Sequence, residues 1–512
     1  MNKQTGVNFI AQVISFAINI CISFFLTPFI IKNIGIEANG FVTLANNVVE
    51  YAQIFTLAIN SMASRFITIK LQQKNYEDAN KYFSSIAYAN IIMSVVFSVG
   101  ISFVIIFLDK FLNISETSVT DIKILWIFVA INFIISLFVS IYYVPIFAAD
   151  RLDVMGFTNA RGSILRAVTL VLCYTFFRPY TFYVGIASVL LGLNSLITYI
   201  HYKKKLLPDL CIKRKYYDFA CIKDLVASGI WNSVTKLSTI LSSGLDLLIA
   251  NIFVNGVAMG VLNVSKTVPN IVYLLFSMLS STLAPQLTIA YANNDFEEMK
   301  RQLISSIKFL GVFSSIPIAI LMGLGENFFA LWLPDQNSAF LHLLTVIICI
   351  YLIFALPLEP LYNIFTVINK VKISSIALVC FSVGSILTVL IGLPFIQSDE
   401  AKVIYIAAVG SFFTMLKLLT FIPLFGAKCL NFKYTTFYSV IFKNFISVCV
   451  LLVIAVAINR IFAIDTWIKL FAACIAVAII GLVSNVLILY NKDERHSAKE
   501  KVIGFAKKYL SK

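Results

Sequence analysis

The chain has 512 residues, of which 60% are hydrophobic and only 13% are charged, and its formal net charge is +15. A mean hydropathy of +0.90 is too high for a protein whose whole surface faces water. The composition therefore predicts an integral membrane protein. The positive charge then reports on membrane topology instead of nucleic-acid binding.

About fourteen hydrophobic segments of roughly 20 residues or more follow one another, separated by short polar loops. Lipid supplies no hydrogen-bond partner for the backbone, so such segments are helices or strands of a closed barrel. Runs such as 91–108 lack the two-residue alternation of barrel strands. We predict an all-α integral membrane protein with about fourteen transmembrane helices, at 7–31, 40–64, 82–108, 122–148, 157–177, 181–202, 224–254, 258–288, 302–323, 339–366, 374–396, 402–425, 437–461 and 468–490.

Most of the 40 Lys and Arg residues fall in loops on the side of the N-terminus. This bias follows the positive-inside rule and predicts that both termini are cytoplasmic. The loop 203–223 contributes most, because it contains Lys203, Lys204, Lys205, Lys213, Arg214, Lys215 and Lys223. We expect it to anchor the topology through anionic lipid.

A weak internal repeat appears when the two halves of the chain are overlaid without a gap. The sequence around 38–40 then matches that around 258–260, and the acidic loop at 75–78 matches 295–298. Parallel repeats of this kind are a transporter architecture, and this one predicts two six-helix lobes related by pseudo-two-fold symmetry. The predicted divisions are an N-terminal lobe (1–202), a basic cytoplasmic linker (203–223), a C-terminal lobe (224–425), helices 13–14 (426–490) and a basic cytoplasmic tail (491–512). We expect the matching loops 66–81 and 289–301 to be short amphipathic helices on the membrane surface.

Catalytic and metal-binding patterns are missing from the sequence. The three histidines lie far apart, the nine cysteines form no C-x-x-C, and there is no phosphate-binding glycine loop. We therefore predict a protein that is not an enzyme and that uses no cofactor and no metal.

Charged residues inside the hydrophobic segments are the candidate functional groups, because an ionised side chain at the bilayer centre costs about 2.5–3.5 kcal/mol and needs a cavity or a partner. Lys236, Lys266 and Lys417 lie too deep to reach the membrane surface and are predicted to line a cationic cavity. Candidates for ion coupling or gating are Glu50, Asp246 and Glu359. Lys308 and Lys443 are near helix ends and are expected to snorkel.

Two alternatives stay open for these polar groups. The charges could neutralise one another in packing, and Glu50 with Lys266 is one conceivable pair across the lobes. The amides of the first two segments, such as Asn8, Gln12 and Asn19, indicate either a wet interior or hydrogen bonds between helices. Pro357 and Pro360 flank Glu359 and predict a helix break there.

The N-terminal stretch resembles the bacterial polysaccharide or O-antigen flippases, a group related to multidrug exporters and the peptidoglycan-precursor flippase. The resemblance is carried by 27–35 (TPFIIKNIG), 37–41 (EANGF) and 64–67 (SRFI), and by the fourteen-helix, two-lobe layout of the whole chain. It adds a hinge at Pro28 to the one that the helix-breaking Pro357 and Pro360 predict, and it adds Arg65 to the substrate-binding residues.

The resemblance further implies alternating access in the bacterial inner (plasma) membrane. The two lobes would move an undecaprenyl-pyrophosphate-linked oligosaccharide outward for O-antigen, lipopolysaccharide or capsule assembly, with helices 13–14 forming a groove for its lipid tail. Polysaccharide polymerase and chain-length machinery are the implied partners, and nucleic acid is not.

Departures from two related groups support this assignment. The first segment has no coupling carboxylate between Lys3 and Lys32, unlike drug exporters of the group, and no arginine, unlike the peptidoglycan-precursor flippase. A cation-coupled multidrug exporter is the alternative transporter. A membrane polymerase or ligase is the alternative enzyme, and the short outer loops argue against it.

Overall fold

A computed structural model describes residues 3–281, 287, 290, 291, 293, 295–368, 370–492, 494 and 495. In this part of the chain the structure is helical. The helices before residue 220 are α1 (Lys3–Ile34), α2 (Ile36–Gln72), α3 (Tyr76–Ile106), the single turn α4 (Leu108–Phe111), α5 (Val119–Ala148), α6 (Leu152–Phe176), α7 (Phe182–Leu206) and the start of α8 (Phe219–Ser243). Those that follow are α9 (Leu245–Phe253), α10 (Gly256–Ser281), α11 (Phe296–Trp332), α12 (Ser338–Val367), α13 (Val371–Gly392), α14 (Asp399–Leu419), α15 (Phe421–Cys429), α16 (Tyr438–Ile461) and α17 (Trp467–Leu489).

Thirteen helical segments of the described chain are long and apolar enough to cross a membrane, counting α8–α9 and α14–α15 as one segment each. The 25-residue α6 is not among them, but it is long enough to span and lies along α1. The predicted all-α membrane class is therefore confirmed. The predicted surface helix at 66–81 is wrong, because α2 continues to Gln72 and α3 begins at Tyr76. The matching segment 289–301 lies partly outside the described residues.

The internal repeat recurs in the helix starts. The Asn75 side chain caps α3 by accepting from the Asp78 N–H at 3.0 Å. The Asp295 side chain caps α11 by accepting from the Glu298 N–H at 2.9 Å, with nearly the same backbone dihedrals. These caps satisfy backbone donors that a helix start leaves without partners. The number of residues from Ile36, where α2 begins, to Gly256, where α10 begins, equals the number from one cap to the other.

Helix packing divides the chain into two units, Met1–Asn263 with Gln397–Val403, and Val264–Ile396 with Ile404–Lys512. In the first, α2 packs on α8, α1 on α6, and α5 on α7. In the second, α11 packs on α12, α16 and α17. The predicted lobe boundaries at 202 and 224 stay a prediction.

The starts of α2 and α10 pack closely in the first unit. A Cβ on Gly260 would overlap the Ile36 carbonyl oxygen, and a Cβ on Gly40 would lie 3.0 Å from the Gly260 Cα. The adjacent Glu37 is only 1% exposed, and its carboxylate accepts the backbone N–H groups of 115–117 at 2.6–2.8 Å. The motif at 37–41 therefore fixes this end of α2 to α10 and to a loop.

The amides of α1 bond to α6, so the interhelical explanation holds for them. Asn8 donates to the carbonyl and carboxylate of Asp150 and accepts the Asp153 N–H at 2.9 Å. Gln12 donates to the Leu152 carbonyl at 3.0 Å. Further along, Ser163 donates to Asn19. These bonds satisfy polar groups without requiring a water-filled lumen beside α1.

The basic linker is fixed to α3. Asn80, Ser84 and Ser85 are nearly fully buried and exchange hydrogen bonds with the backbone of 209–218 at 2.7–3.3 Å. Leu210, 1% exposed, enters the hydrophobic cluster beneath. The linker is thus an ordered segment whose lysines stay exposed, apart from the half-buried Lys203.

The last two helices pack firmly on α11. The Asn485 side chain donates to the Val312 carbonyl at 2.8 Å and to Ser315 Oγ at 2.6 Å.

Nearby, Lys308 is buried and binds both carboxylate oxygens of Glu494 at 2.7 and 2.8 Å, so the prediction that Lys308 snorkels is wrong. Burial raises the pKa of the Glu494 carboxyl, but the bonds from Lys308 and the Asn491 N–H together hold this pKa below its usual value.

A Gly260→Ala substitution should destabilise the protein by about 1–3 kcal/mol, because the new methyl group would overlap the Ile36 carbonyl and force the helices apart. The measurement is thermal unfolding of the purified protein in detergent. Gly100→Ala is the control, because nothing lies within 4 Å of a Cβ there. Gly100→Ala should be neutral or up to about 1 kcal/mol stabilising. Equal effects of the two changes would contradict the close packing.

Candidate functional site

A line of polar contacts joins α2 to α8 in the first unit. Asn232 donates to Ser61 Oγ at 3.0 Å, and Ser233 donates to the Ile54 carbonyl at 2.7 Å. Asn47 donates to the Gly244 carbonyl at 3.3 Å. Hydrogen bonds of this kind hold membrane helices together where hydrophobic packing gives no preference over lipid. The seam positions the charged side chains of both helices.

Lys236 and Glu50 form an ion pair in this seam, with the Lys236 Nζ 2.6 Å from a Glu50 carboxylate oxygen. Glu50 lies fourteen residues into α2, about 21 Å from its start at 1.5 Å per residue. The two side chains, Lys236 and Glu50, remain 26% and 48% exposed. Charges at this depth are tolerated against lipid only at high cost, so this exposed side must face water or ligand. Glu50 is thus paired with Lys236 within the first unit.

The seventh predicted helix, 224–254, forms one candidate membrane span that is interrupted at a single residue. α8 ends at Ser243 and α9 begins at Leu245, with Gly244 alone between them. The carbonyl of Gly244 at the break accepts the Tyr51 hydroxyl at 2.7 Å as well as Asn47. Asp246 lies in the first turn of α9, where its carboxylate accepts the Leu247 N–H at 2.9 Å. Neighbouring side chains thus satisfy the backbone that the break releases.

Arg65 lies in another part of the first unit, near the end of α2. Its exposed side chain lines an open cleft of about 600 Å³ with Thr68, Ile69, Gln72, Gln73 and Phe147. The cleft combines a cation and amides with apolar walls. It is separate from the Glu50–Lys236 pair, because fifteen residues of α2, about 22 Å, lie between Glu50 and Arg65.

The second unit holds the other predicted charges. Glu359 on α12 accepts the Ser277 hydroxyl at 3.1 Å and the Tyr273 hydroxyl at 3.4 Å, both from α10. Lys417 on α14 is close enough to Glu359 to interact with it electrostatically. Lys266 lies two turns before Tyr273 on α10 and is half-buried. Glu359 and Lys417 thus act on each other, with hydroxyl donors beside them.

The predicted helix break at the prolines is not formed. α12 continues from Ser338 to Val367 through Pro357 and Pro360, and α1 continues through Pro28. Their role as hinges stays a prediction. The interruptions that do occur in predicted charged helices are at Gly244, between α8 and α9, and at Thr420, between α14 and α15.

Two charged residues inside a predicted segment were overlooked at the sequence level. Arg161 and Arg166 both lie within 157–177, and only their residue type could have revealed them. Arg161 is exposed and donates to Thr198 Oγ1. Arg166 has a buried Nε without a hydrogen-bond partner in the described structure.

Comparison with known proteins shows which solved structures share this fold. No protein-family model matches the chain. The uncharacterized membrane protein EpsK of Bacillus subtilis (strain 168) is 26% identical over 490 residues, which is 96% of each chain. An inward-facing multidrug resistance transporter of the MATE family, from the MOP superfamily, superposes with a TM-score of 0.66 at 13% identity, over 82% of this chain and 98% of that one. The lipid II flippase MurJ in an inward closed conformation gives 0.65 at 14% identity, over 95% and 98%.

The chain shares the fold of this MATE transporter and of the flippase MurJ. It is a multi-pass membrane protein, and the proteins that share its fold are transporters and flippases instead of enzymes. At these identities the likeness concerns the fold alone. The roles of the charged residues must therefore follow from their own chemistry.

Neutralising one partner of the central ion pair, by Glu50→Gln or Lys236→Gln, should lower the thermal stability of the purified protein by about 1–3 kcal/mol. Each change leaves the other charge without its counter-charge at mid-membrane. The exchange variant Glu50→Lys with Lys236→Glu should recover most of this loss. Lys469→Gln is the control, because its pair with Asp465 is exposed and screened by water, and its loss should leave the stability nearly unchanged. If the exchange variant is no more stable than the single variants, the pair does not form.

Proposed function

We propose that the chain is a flippase that moves an oligosaccharide, linked through a diphosphate to a polyprenyl lipid such as undecaprenol, across the bacterial plasma membrane. The observation that supports this best is the share of the chain that each solved structure covers. The lipid II flippase covers 95% of it, whereas the MATE transporter covers 82%. The difference between these two shares of the chain is comparable in length to α16 and α17 together with their connections.

The charges inside the membrane fit an anionic substrate. Lys236, Lys266, Lys417 and Arg166 are cations within long helices, against Glu50, Asp246 and Glu359. A diphosphate cannot enter hydrocarbon without counter-charge, and ammonium groups act strongly on it where water is scarce. Export of about two negative charges from a negative cytoplasm also gains on the order of 4–5 kcal/mol at 100 mV, from ~2.3 kcal/mol per charge. The membrane potential could therefore drive part of the transport.

The two units offer different groups for this task. Lys236 is neutralised by Glu50, so a phosphate that reaches Lys236 must compete with that carboxylate. Lys417 and Glu359 are close enough to interact, so a phosphate that reaches Lys417 must also compete with a carboxylate, and Glu359 is the group that we propose for ion coupling. Arg65 lines the cleft near the end of α2, and in this proposal it meets a headgroup at the membrane surface. In this proposal both termini are cytoplasmic and the flippase works by alternating access. Its partners are a polysaccharide polymerase, which uses the transported units, and the chain-length machinery.

A cation-coupled multidrug exporter is the second candidate, and the TM-score of 0.66 with a MATE transporter favours it. Such a protein would need acidic groups in its binding site and would gain nothing for substrate binding from lysines there. Lysine substitutions therefore separate the two functions.

Lys266→Ala and Lys417→Ala should each reduce surface glycan at least about tenfold at normal protein level, because each removes a counter-charge for the diphosphate. Lipid-linked repeat units should then accumulate in the cytoplasmic leaflet, where they are protected from externally added glycosidase. The measurements are quantification of glycan at the cell surface and mass spectrometry of extracted lipids, in a deletion strain complemented with each variant.

Lys469→Gln, an exposed lysine outside these groups, is the matched control and should complement fully. Unchanged glycan in the deletion strain, together with greater sensitivity to cationic drugs, would overturn the flippase proposal in favour of the exporter. Full complementation by both lysine variants would remove the cationic-site argument.

A further inference from the structure

Arg166 stands apart from the other charges of the described chain. It lies in the interior of α6, makes no hydrogen bond and no ion pair to any described residue, and its Nε is buried. The chain carries two arginines within this helix, and the other, Arg161, is exposed and bonded to Thr198. Arg166 therefore differs from Arg161 in environment as well as in bonding.

The depth of Arg166 follows from the register of α6 against α1. The two helices lie side by side, with contacts between Asn8 and Asp153, Ala11 and Gly156, Asn19 and Ser163, and Phe29 and Tyr174. The separation along the chain is nearly constant in these pairs, so the helices run parallel and Arg166 is level with Ile22 of α1. Arg166 is about 21 Å from the start of α6 and about 15 Å from its end. It is thus near the middle of the membrane.

A second unpartnered group lies on the same stripe of α6. Tyr174 is 7% exposed, and its hydroxyl has no hydrogen-bond partner in the described structure. It is eight residues, about two helical turns, after Arg166, and the two side chains are close enough to interact electrostatically. Its ring packs against Phe29 and Tyr183, which fixes its direction. α1 offers no acidic residue to either group, because its interior contains none. Asp121 of α5 is close enough to Tyr174 to interact with it electrostatically, but its carboxylate already accepts the Thr181 and Phe182 N–H groups.

Unpartnered buried donors are costly, and a charged donor in lipid is the costliest of them. In a folded protein such a group is normally satisfied by a partner, by water or by a ligand. A guanidinium presents five N–H donors in a planar fork, which matches the oxygens of a phosphate. The neighbouring tyrosine adds one more neutral donor for the same kind of acceptor.

We propose that Arg166 and the Tyr174 hydroxyl form an anion site between α1 and α6 that binds the diphosphate of the lipid-linked substrate. This inference rests on the proposed function for the identity of the ligand. It adds a site within the first unit, apart from the Glu50–Lys236 pair of the α2–α8 seam. The two cations differ before any ligand binds. Arg166 has no anionic partner among the described residues, whereas Lys236 is already paired with Glu50.

The first test concerns the free protein. Arg166→Gln should raise the melting temperature of the purified full-length chain, because it removes an unpaired charge from the membrane interior. Tyr174→Phe should also raise it slightly, since it deletes a hydroxyl that bonds to nothing among the described residues. Arg161→Gln is the matched control, and losing its bond to Thr198 should leave the melting temperature unchanged or slightly lower. A clear fall with Arg166→Gln would show that the guanidinium has a structural partner and would overturn the proposal.

The second test concerns the ligand, with farnesyl diphosphate as the probe for the chain in nanodiscs. Binding is read from the ligand-dependent rise in melting temperature. We expect farnesyl diphosphate to bind more tightly than farnesyl phosphate, and farnesol not to stabilise. Arg166→Gln should weaken diphosphate binding about ten- to a hundredfold, Arg166→Lys less, and Tyr174→Phe a few-fold. Inorganic pyrophosphate should compete weakly, which separates a lipid-linked ligand from a free anion.

Equal diphosphate affinity of wild type and Arg166→Gln would overturn the site, and so would a wild type that does not bind the probe. Neither result would overturn the flippase proposal, which is tested by glycan display and lipid accumulation in cells. Conversely, unchanged glycan in the deletion strain with Arg166-dependent diphosphate binding would retain the anion site and reject the proposed transport.

Discussion

A lipid bilayer gives a buried polar group no partner, so each such group of this chain must find one within the protein or in a ligand. Most of the polar groups of the two units obey this constraint. Asn8 and Gln12 bind the start of α6, and Asn47 and Tyr51 bind the carbonyl that the break at Gly244 releases. Glu50 neutralises Lys236. The arrangement of the helices is thus largely an arrangement of mutually satisfied polar side chains.

Close approach of the helices makes these bonds possible. Gly260 lets α10 meet the start of α2, and Gly156 lets α6 meet the backbone of Ala11. Because lipid packs against apolar side chains as well as protein does, small residues and hydrogen bonds decide which helices associate. Asn485 of α17 likewise donates a hydrogen bond to α11, and α16 and α17 are part of the second packing unit.

Hydrophobic length and charge bias predicted the helical membrane class and most helix positions, because these depend on local composition. The pairing of charges was beyond such reasoning, because Lys236 and Glu50 are far apart in sequence and meet only in the fold. No proline marks the interruption at Gly244, and the Gly244 carbonyl accepts hydrogen bonds from α2 that only the fold reveals. Arg166 was missed because the apolar residues around it made 157–177 appear to be an ordinary hydrophobic segment. The prolines of α12 misled in the opposite direction, since the helix continues through them.

The difference between Lys236 and Arg166 bears on how an anion would be taken up. A ligand that binds Lys236 must first displace Glu50, so part of its interaction energy is spent in breaking an existing pair. A ligand that binds Arg166 displaces no protein partner among the described residues and relieves an unfavourable charge. Under the proposed function, the diphosphate would therefore bind more strongly between α1 and α6 than at the α2–α8 seam. Engagement of Lys236 would then require rearrangement of the seam, which links ligand movement to a change in helix contacts.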